Sequence, residues 1–324
     1  MLQQRIRRSG WGYRAKGGAF AEPTALASLA LLAAAPDEPA EKRDEGRGTR
    51  DEDPTRLTSS FSPLTPRPSP LVAAVHEAAD WLAEIQQPDG ALGLSAELPT
   101  PCWGTAYGLL VWTTLGSHQT ERERAVQWLL GRIGQTSAVK NNGILGHDTS
   151  IPGWPWVENT HAWLEPTAWA VLALRREGLS DHPRVREGVR LISNRAIPSG
   201  GWNYGNVSTF GTNLTAQPAP TGLALLTLAG ENTDPGQIED GLNYLLGTLP
   251  RVRSPRSLCW GLLGLEAWER RYDAAEIWLA ESFSLAKDET HGSPSALDLA
   301  QLLLASSGRA PSLFGVELAS GRQT

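Results

Sequence analysis

The sequence predicts an all-α fold in which about six inner helices form a ring and outer helices surround them. Three observations lead to this prediction: one pattern recurs along the chain, nearly all-apolar helices alternate with half-polar ones, and glycine-bearing turns separate them. A helix that is apolar on every face must be buried, whereas an amphipathic helix covers a core with one face. The alternation therefore predicts two concentric layers of helices.

The clearest repeat joins a Gly-Trp turn to a helix that begins Glu-Pro-Thr-Ala. Segments 10–25 and 153–168 are two copies, with the same spacing between tryptophan and glutamate in both. Segment 201–221 is a third copy with a longer loop and without the glutamate. Because proline is preorganised for the first turn of a helix, each copy predicts the start of an inner helix.

Weaker copies of the same pattern start further inner helices near Thr105, Ser257 and Pro294. Amphipathic segments lie between the inner helices and are the predicted outer helices; they are 72–87, 122–134, 183–195, 236–249 and 271–285. No outer helix precedes Gly10 or follows Gly308 in this scheme. The ring is therefore expected to be open between its first and last inner helices, with an apolar face that a second copy or a partner subunit covers.

The chain is predicted to form one domain with an insertion. Residues 1–35 form the first repeat, 71–310 the remainder of the ring, and 311–324 a C-terminal tail. Segment 36–70 is rich in charged residues, proline, serine and threonine. It can bury too little apolar surface to offset the conformational entropy lost on ordering, so it is predicted to be a disordered linker. The apolar run 26–35 is interpreted as a domain helix and not as a signal peptide, because the pattern ahead of it recurs deep inside the chain.

Composition excludes several classes of function. The net charge is −6 and basic residues do not cluster, which argues against a nucleic-acid partner. Cys102 and Cys259 lie far apart and form no disulfide framework, so a cytoplasmic location is expected. No run of about 18 apolar residues could span a bilayer, which leaves at most a peripheral membrane contact. The 13 tryptophans predict either a repeat that reuses tryptophan or an aromatic-lined cavity.

These repeats resemble the QW-type repeats of squalene–hopene and oxidosqualene cyclases, in which Gln-x-x-x-Gly-x-aromatic precedes an inner helix. Segment 86–92 is a degenerate copy with leucine in the aromatic position, and Gly200-Gly201-Trp202 matches the end of the pattern. The resemblance covers most of the chain outside 36–70. It implies the α-α toroid of terpenoid cyclases and protein prenyltransferases, and an isoprenoid such as squalene or a polyprenyl compound as substrate or ligand.

The cyclases resembled here use an aspartic acid at the start of an inner helix to protonate their substrate. Aligned on Thr167 and Ala168, the acid position falls on Glu165, and in the N-terminal copy it falls on Glu22. His161 is the candidate to orient Glu165. The alternative is that Glu165 only caps its helix and complements the helix dipole. The chain contains no Asp-x-Asp-Asp motif.

Protein prenyltransferases, which share the toroid, hold zinc through aspartate, cysteine and histidine at inner-helix starts. Cys259 resembles the cysteine ligand, but Ser257 stands in place of the aspartate. Asp298 resembles the start of the histidine-bearing motif, but Gln301 stands in place of the histidine. With one of the three ligand types present, neither a metal nor a cofactor is expected.

Aromatic residues near the inner-helix starts are the predicted substrate-binding surface, because their ring faces stabilise cations such as carbocations. The alternative is packing between repeats. The candidates are Trp103, Trp154, Trp156, Trp163, Trp169, Trp202 and Tyr204. Two functions therefore remain open: an enzyme acting on an isoprenoid, and a non-catalytic toroid that serves as a scaffold or carries an apolar ligand.

Overall fold

In a computed structural model of the protein, the described residues are 1–5, 10–14, 17–35, 69–137, 145–287 and 294–316. They confirm the all-α prediction. In chain order the helices are α1 (Ala21–Ala34), α2 (Pro70–Glu84), α3 (Gly104–Leu115), α4 (Gln119–Gly131), α5 (Leu164–Arg176), α6 (Pro183–Asn194), α7 (Pro218–Leu228), α8 (Pro235–Thr248), α9 (Pro255–Glu266), α10 (Ala275–Ala286), α11 (Ala296–Ser306) and α12 (Ala310–Leu313). A two-stranded ribbon, β1 (Ser208–Thr209) and β2 (Thr212–Asn213), lies in the loop before α7.

The odd-numbered helices α1 to α11 form the inner ring, and the even-numbered helices α2 to α10 lie outside it. Every residue of α7 is buried, and α1 is buried on nearly every face. The outer helices expose a polar face; α6, for example, buries Val185, Val189 and Ile192 and exposes Arg186 and Arg190. The predicted two-layer arrangement is therefore confirmed, and the run 26–35 lies in an inner helix of the domain, as expected.

The prediction of an open ring is wrong, because α11 packs directly against α1. Ala300 and Leu304 of α11 are fully buried at this level of the ring. Contact between inner helices does not require an outer helix behind them, so the first and last repeats close the ring within one chain. The exterior of this junction carries a groove of about 640 Å³, lined by residues that include Leu31, Phe283 and Leu303.

The segment after α11 turns back into the ring. Arg309 donates a hydrogen bond from Nη1 to the carbonyl oxygen of Ala35 (2.9 Å), and the short helix α12 packs against α1 and α9. Phe314 is fully buried, with its ring centroid 5.8 Å from that of Trp169 and 6.0 Å from that of Trp260. The predicted C-terminal tail therefore begins with a packed segment, and residues 317–324 lie outside the described part of the chain.

Most of the predicted insertion, residues 36–68, also lies outside the described residues. Its last residue, Pro70, begins α2. Ser69 caps this helix by accepting a hydrogen bond from the backbone N–H of Val72 (3.3 Å), and Pro70 occupies its first turn. Within the described ranges, no helix is both long enough and apolar enough to cross a membrane.

Helices α7 and α9 lie closer together than they could if the facing positions carried side chains. A Cβ atom added at Gly264 would lie 2.6 Å from the Cα atom of Gly222, and one added at Gly222 would overlap the carbonyl oxygen of Trp260. The two backbones are therefore in direct contact, and this wall of the ring depends on residues without side chains.

Candidate active site at the N-terminal end of the ring

A repeated pair of tryptophan and threonine attaches each loop to its inner helix. The backbone N–H of Trp154 donates to Thr167 Oγ1 (3.0 Å), and the threonine hydroxyl donates back to the carbonyl of Trp154 (3.3 Å). The same two hydrogen bonds join Trp11 to Thr24 and Trp202 to Thr221. The glycine of the Gly-Trp turn is needed because a Cβ atom at Gly153 would lie 2.8 Å from Thr167 Oγ1.

The indole groups of these tryptophans point into the wall between the two layers. Trp154 Nε1 donates to the carbonyl of Leu129 at the end of α4 (2.8 Å), and Trp202 Nε1 donates to that of Ile192 in α6 (2.8 Å). Both side chains are buried. The structure thus places two of the predicted substrate-binding residues, Trp154 and Trp202, in the packing between repeats.

Replacing Thr167 with valine should lower the free energy of unfolding by about 1–3 kcal/mol, because the buried N–H of Trp154 loses its only described acceptor. Valine keeps the shape of threonine, so little packing is lost. Thr120→Val, at an exposed position of the outer helix α4, is the matched control. Urea unfolding of the two variants measures the difference, and equal stabilities would contradict the role assigned to the Trp–Thr pair.

Charged and phenolic side chains converge where the inner helices begin. Glu165, in the first turn of α5, is 6% exposed and accepts a hydrogen bond from Arg256 Nη2. Arg256 follows Pro255 at the start of α9, and its side chain is 40% exposed. Because α7 separates α5 from α9 in the ring, this ion pair reaches across the end of the ring.

A second carboxyl joins the cluster from the opposite side. Glu22, in the first turn of α1, accepts a hydrogen bond from Tyr107 Oη of α3 (3.3 Å) and another from Tyr13 Oη of the first loop. Together, Tyr13, Glu22, Tyr107, Glu165 and Arg256 are called the mouth cluster below. It links residues from four of the six inner helices at one end of the ring.

Burial and neighbouring charges perturb the acids of the mouth cluster. Burial raises the pKa of Glu165 above its usual value; Arg256 opposes this shift, and the charge of Glu22 adds to it. Burial, followed by the charge of Glu22, also raises the pKa of Tyr107 well above its usual value. A carboxyl with a raised pKa can exchange a proton nearer neutral pH, so the site is suited to acid–base chemistry.

Aromatic rings fill the interior of the ring behind the mouth cluster. Trp169 lies one turn after Glu165 on α5, and its centroid is 4.7 Å from Tyr107 and 5.0 Å from Trp260. Phe314 completes this group, which we call the axial aromatic cluster (Tyr107, Trp169, Trp260 and Phe314). Trp169 is thus the predicted aromatic residue that the structure places beside the candidate acid.

The other predicted site residues lie elsewhere. Trp103 and Trp156 form an edge-to-face pair (4.8 Å) in the wall of a small apolar cavity of about 20 Å³. Tyr204 is 44% exposed, and its carbonyl accepts from the N–H of Leu164 at the start of α5 (3.2 Å). Trp163 lines a different cavity, between two loops.

His161 also lines that cavity between loops, together with Trp163. Its Nδ1 lies 3.1 Å from the carbonyl oxygen of Gln135. Glu165 is hydrogen-bonded to Arg256 of α9 and also interacts with Trp169 of α5, so the partners described for this carboxyl do not include the predicted histidine.

The sequence analysis did not identify Arg256, Tyr13 or Tyr107 as site residues. One signal could have found the arginine: Arg256 is a single charge at the start of an apolar inner helix, the position that Glu22 and Glu165 hold in other repeats. The two tyrosines carry no comparable signal, because their contact with Glu22 depends on how three elements meet in space.

Metal-binding groups are sparse in the described part of the chain. It contains no cluster of three or more histidine, cysteine, aspartate or glutamate residues that could hold a metal ion. Cys259 is fully buried in α9, and Gln301 is 2% exposed in α11. These residues therefore offer no described partner set for zinc.

The fold is similar to solved structures over nearly its whole length. The apo form of type II terpene cyclase MstE from Scytonema is 12% identical, with a TM-score of 0.56, and the match covers 96% of this chain and 95% of that chain. A variant of the same cyclase, in complex with its substrate geranylgeranyl dihydroxybenzoate, is 12% identical, with a TM-score of 0.58 over 96% and 94% of the two chains. A protein from Actinoplanes is 13% identical, with a TM-score of 0.57 over 96% of both chains.

No protein-family model matches the sequence, and no curated protein matches it. The structural matches confirm the terpenoid cyclase-like α-α toroid that the repeats predicted. At this level of identity they establish the fold, and the chemistry must be argued from the residues at the mouth of the ring.

Proposed function

We propose that the protein is an enzyme that uses Glu165 as an acid–base group on an apolar, isoprenoid-type substrate. The observation that carries this proposal is the position of Glu165: a buried carboxyl with a raised pKa, at the mouth of the ring and one helical turn before Trp169. Protonating a carbon–carbon double bond requires an acid that is held neutral until it reacts, and burial favours the neutral form.

Glu165 and the neighbouring aromatic rings would have different roles in such a reaction. A protonated Glu165 would transfer its proton to one carbon of a double bond, leaving a carbocation on the other carbon. The faces of Trp169 and Tyr107 would stabilise that cation. Loss of a proton from a neighbouring carbon, either directly or after ring closure, would then restore a neutral product and balance the reaction.

Arg256 would control when the proton is available. Its positive charge favours the ionised form of Glu165, whereas burial favours the neutral form. With a side chain that is 40% exposed, Arg256 is the member of the ion pair that can move toward solvent. Substrate that displaced it would leave Glu165 in an apolar site, where the carboxyl takes up a proton.

The choice of an isoprenoid rests on similarity. The MstE complex contains a geranylgeranyl compound as substrate, and the toroid of this chain is similar to that structure over 96% of its length. The axial aromatic cluster offers an apolar surface of the kind that such a chain would contact. We therefore include polyprenyl compounds and squalene among the substrates to be tested.

A specific observation favours a second candidate, a non-catalytic carrier of an apolar ligand or a scaffold. The ring interior is filled by Trp169, Trp260 and Phe314, all fully or almost fully buried, and the Asp-x-Asp-Asp motif is absent from the chain. In this function the mouth cluster would only hold the inner helices together.

Assays with squalene and with geranylgeranyl compounds test the proposal through Glu165→Gln. Glutamine keeps the shape and can still accept a hydrogen bond from Arg256, but it has no transferable proton. We expect turnover to fall by about a hundredfold or more while helical circular dichroism is unchanged. Glu276→Gln is the matched control, since Glu276 is an exposed glutamate in the first turn of the outer helix α10.

Turnover that survives Glu165→Gln would remove this residue from the mechanism. Native mass spectrometry distinguishes the second candidate: a bound prenyl lipid on both wild type and Glu165→Gln, with no turnover by either, would favour the carrier. Absence of both turnover and bound lipid would favour the scaffold.

A further inference from the structure

A cavity of about 270 Å³ lies between the loop that follows α4 and the loop that follows α6. Arg195 lines it, together with polar groups and with the apolar side chains of Ile151 and Trp163. None of the described hydrogen bonds connects this cavity to the mouth cluster. It is therefore a separate feature, and the inference below does not rest on the proposed function.

Arg195 is buried with no carboxylate in direct contact with its guanidinium among the described residues. It is 4% exposed, and its described hydrogen bonds both start from Nη1, to the carbonyl of Asp148 (3.1 Å) and to Asn194 Oδ1 (2.8 Å). Among the described residues, its Nε and Nη2 have no hydrogen-bond acceptor, and no carboxylate lies within 4.0 Å of its guanidinium. Burial lowers the pKa of Arg195 to about 10, so the group still carries its charge at neutral pH.

Two other arginines whose side chains are little exposed, among the described residues, are paired. The side chain of Arg175 is 7% exposed and lies 3.7 Å from a carboxylate oxygen of Glu231, and Arg184 lies 2.6 Å from Glu187. Burying a cation without an anion costs several kcal/mol on general grounds. A protein that keeps an unpaired buried arginine beside a cavity therefore has a place ready for an anion from solution.

The neighbouring groups compensate this positive charge only in part, through the nearby carboxylate of Asp148. Asp148 directs its carboxylate to the N–H (2.8 Å) and hydroxyl (2.6 Å) of Ser150, and lies 3.8 Å from Arg190. His147 lies on the cavity wall, where burial and the charge of Arg195 lower its pKa to about 4, so it is neutral at pH 7. His161 lies on the same wall, and the remaining residues contribute amide and hydroxyl groups and apolar surface.

We propose that Arg195 binds the carboxylate of a small organic acid whose apolar body lies against Ile151 and Trp163. The two donors on Nε and Nη2 match the two oxygens of a carboxylate, the geometry that makes arginine selective for this group. The apolar wall distinguishes such an acid from an inorganic anion, which would gain nothing from Ile151 and Trp163.

Titration with sodium benzoate tests this site, with binding followed by calorimetry and by the rise in melting temperature. We expect wild type and Arg190→Met to bind equally, because Arg190 is the exposed arginine next to Asp148. We expect Arg195→Met to bind benzoate at least about tenfold more weakly than wild type. Arg195→Lys should retain part of the affinity, because it keeps the charge but not the two-donor geometry. Glu165→Gln should bind benzoate like wild type, which separates this site from the proposed active site.

A second variant keeps the test informative if Arg195→Met does not fold. Ile151→Glu introduces a carboxylate into the cavity wall that competes with benzoate for Arg195, so it should abolish benzoate binding. Unchanged benzoate binding by both Arg195→Met and Ile151→Glu would overturn the proposal. No binding of benzoate to wild type at millimolar concentration, or tighter binding of inorganic phosphate than of benzoate, would also overturn it.

Discussion

Gly222→Ala adds one methyl group to an inner helix, and it is expected to destabilise the ring more than a methyl group added at any other position of these helices. The added Cβ would overlap the carbonyl oxygen of Trp260 and lie 2.6 Å from the backbone nitrogen of Gly261. Both obstacles are backbone atoms of α9, so no side-chain rotation relieves the overlap. The two helices must move apart, and we expect a loss of about 3 kcal/mol or more in the free energy of unfolding.

Gly247→Ala provides the control for this prediction. Gly247 is also helical, in the outer helix α8, but a Cβ atom added there meets nothing within 4 Å. Alanine is the better helix former, so this variant should be as stable as wild type or more stable by up to about 1 kcal/mol. Denaturant unfolding followed by circular dichroism compares them. A Gly222→Ala protein as stable as Gly247→Ala would show that α7 and α9 do not touch through their backbones.

Arg256→Met is expected to show how much keeping the carboxylate of Glu165 buried lowers the free energy of unfolding. It leaves the carboxylate of Glu165 without its cation while preserving most of the side-chain volume. Removing the cation of this ion pair costs about 1–3 kcal/mol, because the remaining carboxylate is buried whereas the Arg256 side chain is 40% exposed and partly screened by solvent. We expect a loss of this size at about pH 8, measured by urea unfolding.

The pH dependence of this loss has a definite sign. The pKa of Glu165 in the folded protein is already above its usual value, and removing Arg256 raises it further. A carboxyl whose pKa is raised by folding stabilises the protein below its unfolded pKa, and this contribution disappears as the pH rises through the folded pKa. Arg256→Met should therefore be closest to wild type at about pH 4–5 and furthest from it at about pH 8.

Two further variants check the cause of this effect. The double variant Glu165→Gln/Arg256→Met carries no charge at either position of this pair and should recover most of the stability lost in Arg256→Met at high pH. Arg270→Met, which removes an arginine from an exposed pair with Glu239 (3.7 Å), should change stability little at either pH. A loss in Arg256→Met that is independent of pH would mean that packing, and not the charge of Glu165, is responsible.

The sequence was sufficient to predict the helices of the ring, because each depends on local rules. Proline and threonine mark the starts of inner helices, and the recurring tryptophan marks the loop before them; Trp154 and Thr167 show how the two act together. The repeat spacing also placed Glu165 in the first turn of α5, where the structure has it.

What could not be predicted depends on contacts between distant repeats. Arg256 and Glu165 are separated by 91 positions, and no local pattern indicates that α9 and α5 face each other across the ring. Closure between α1 and α11 was missed for the same reason, since it follows from the curvature accumulated over six inner and five outer helices. Phe314 lies in a segment without a repeat signature, so its insertion beside Trp169 could not be foreseen.

The contact between α1 and α11 also has a consequence for biosynthesis. The ribosome produces α1 first and α11 last among the inner helices, so the apolar flank of α1 that α11 covers stays unprotected while the intervening repeats are made. Each pair of helices can form as it leaves the ribosome. However, α1 and α11 can come into contact only after α11 has been translated. Until then the nascent chain exposes this apolar flank, and we expect the flank to promote association with other chains.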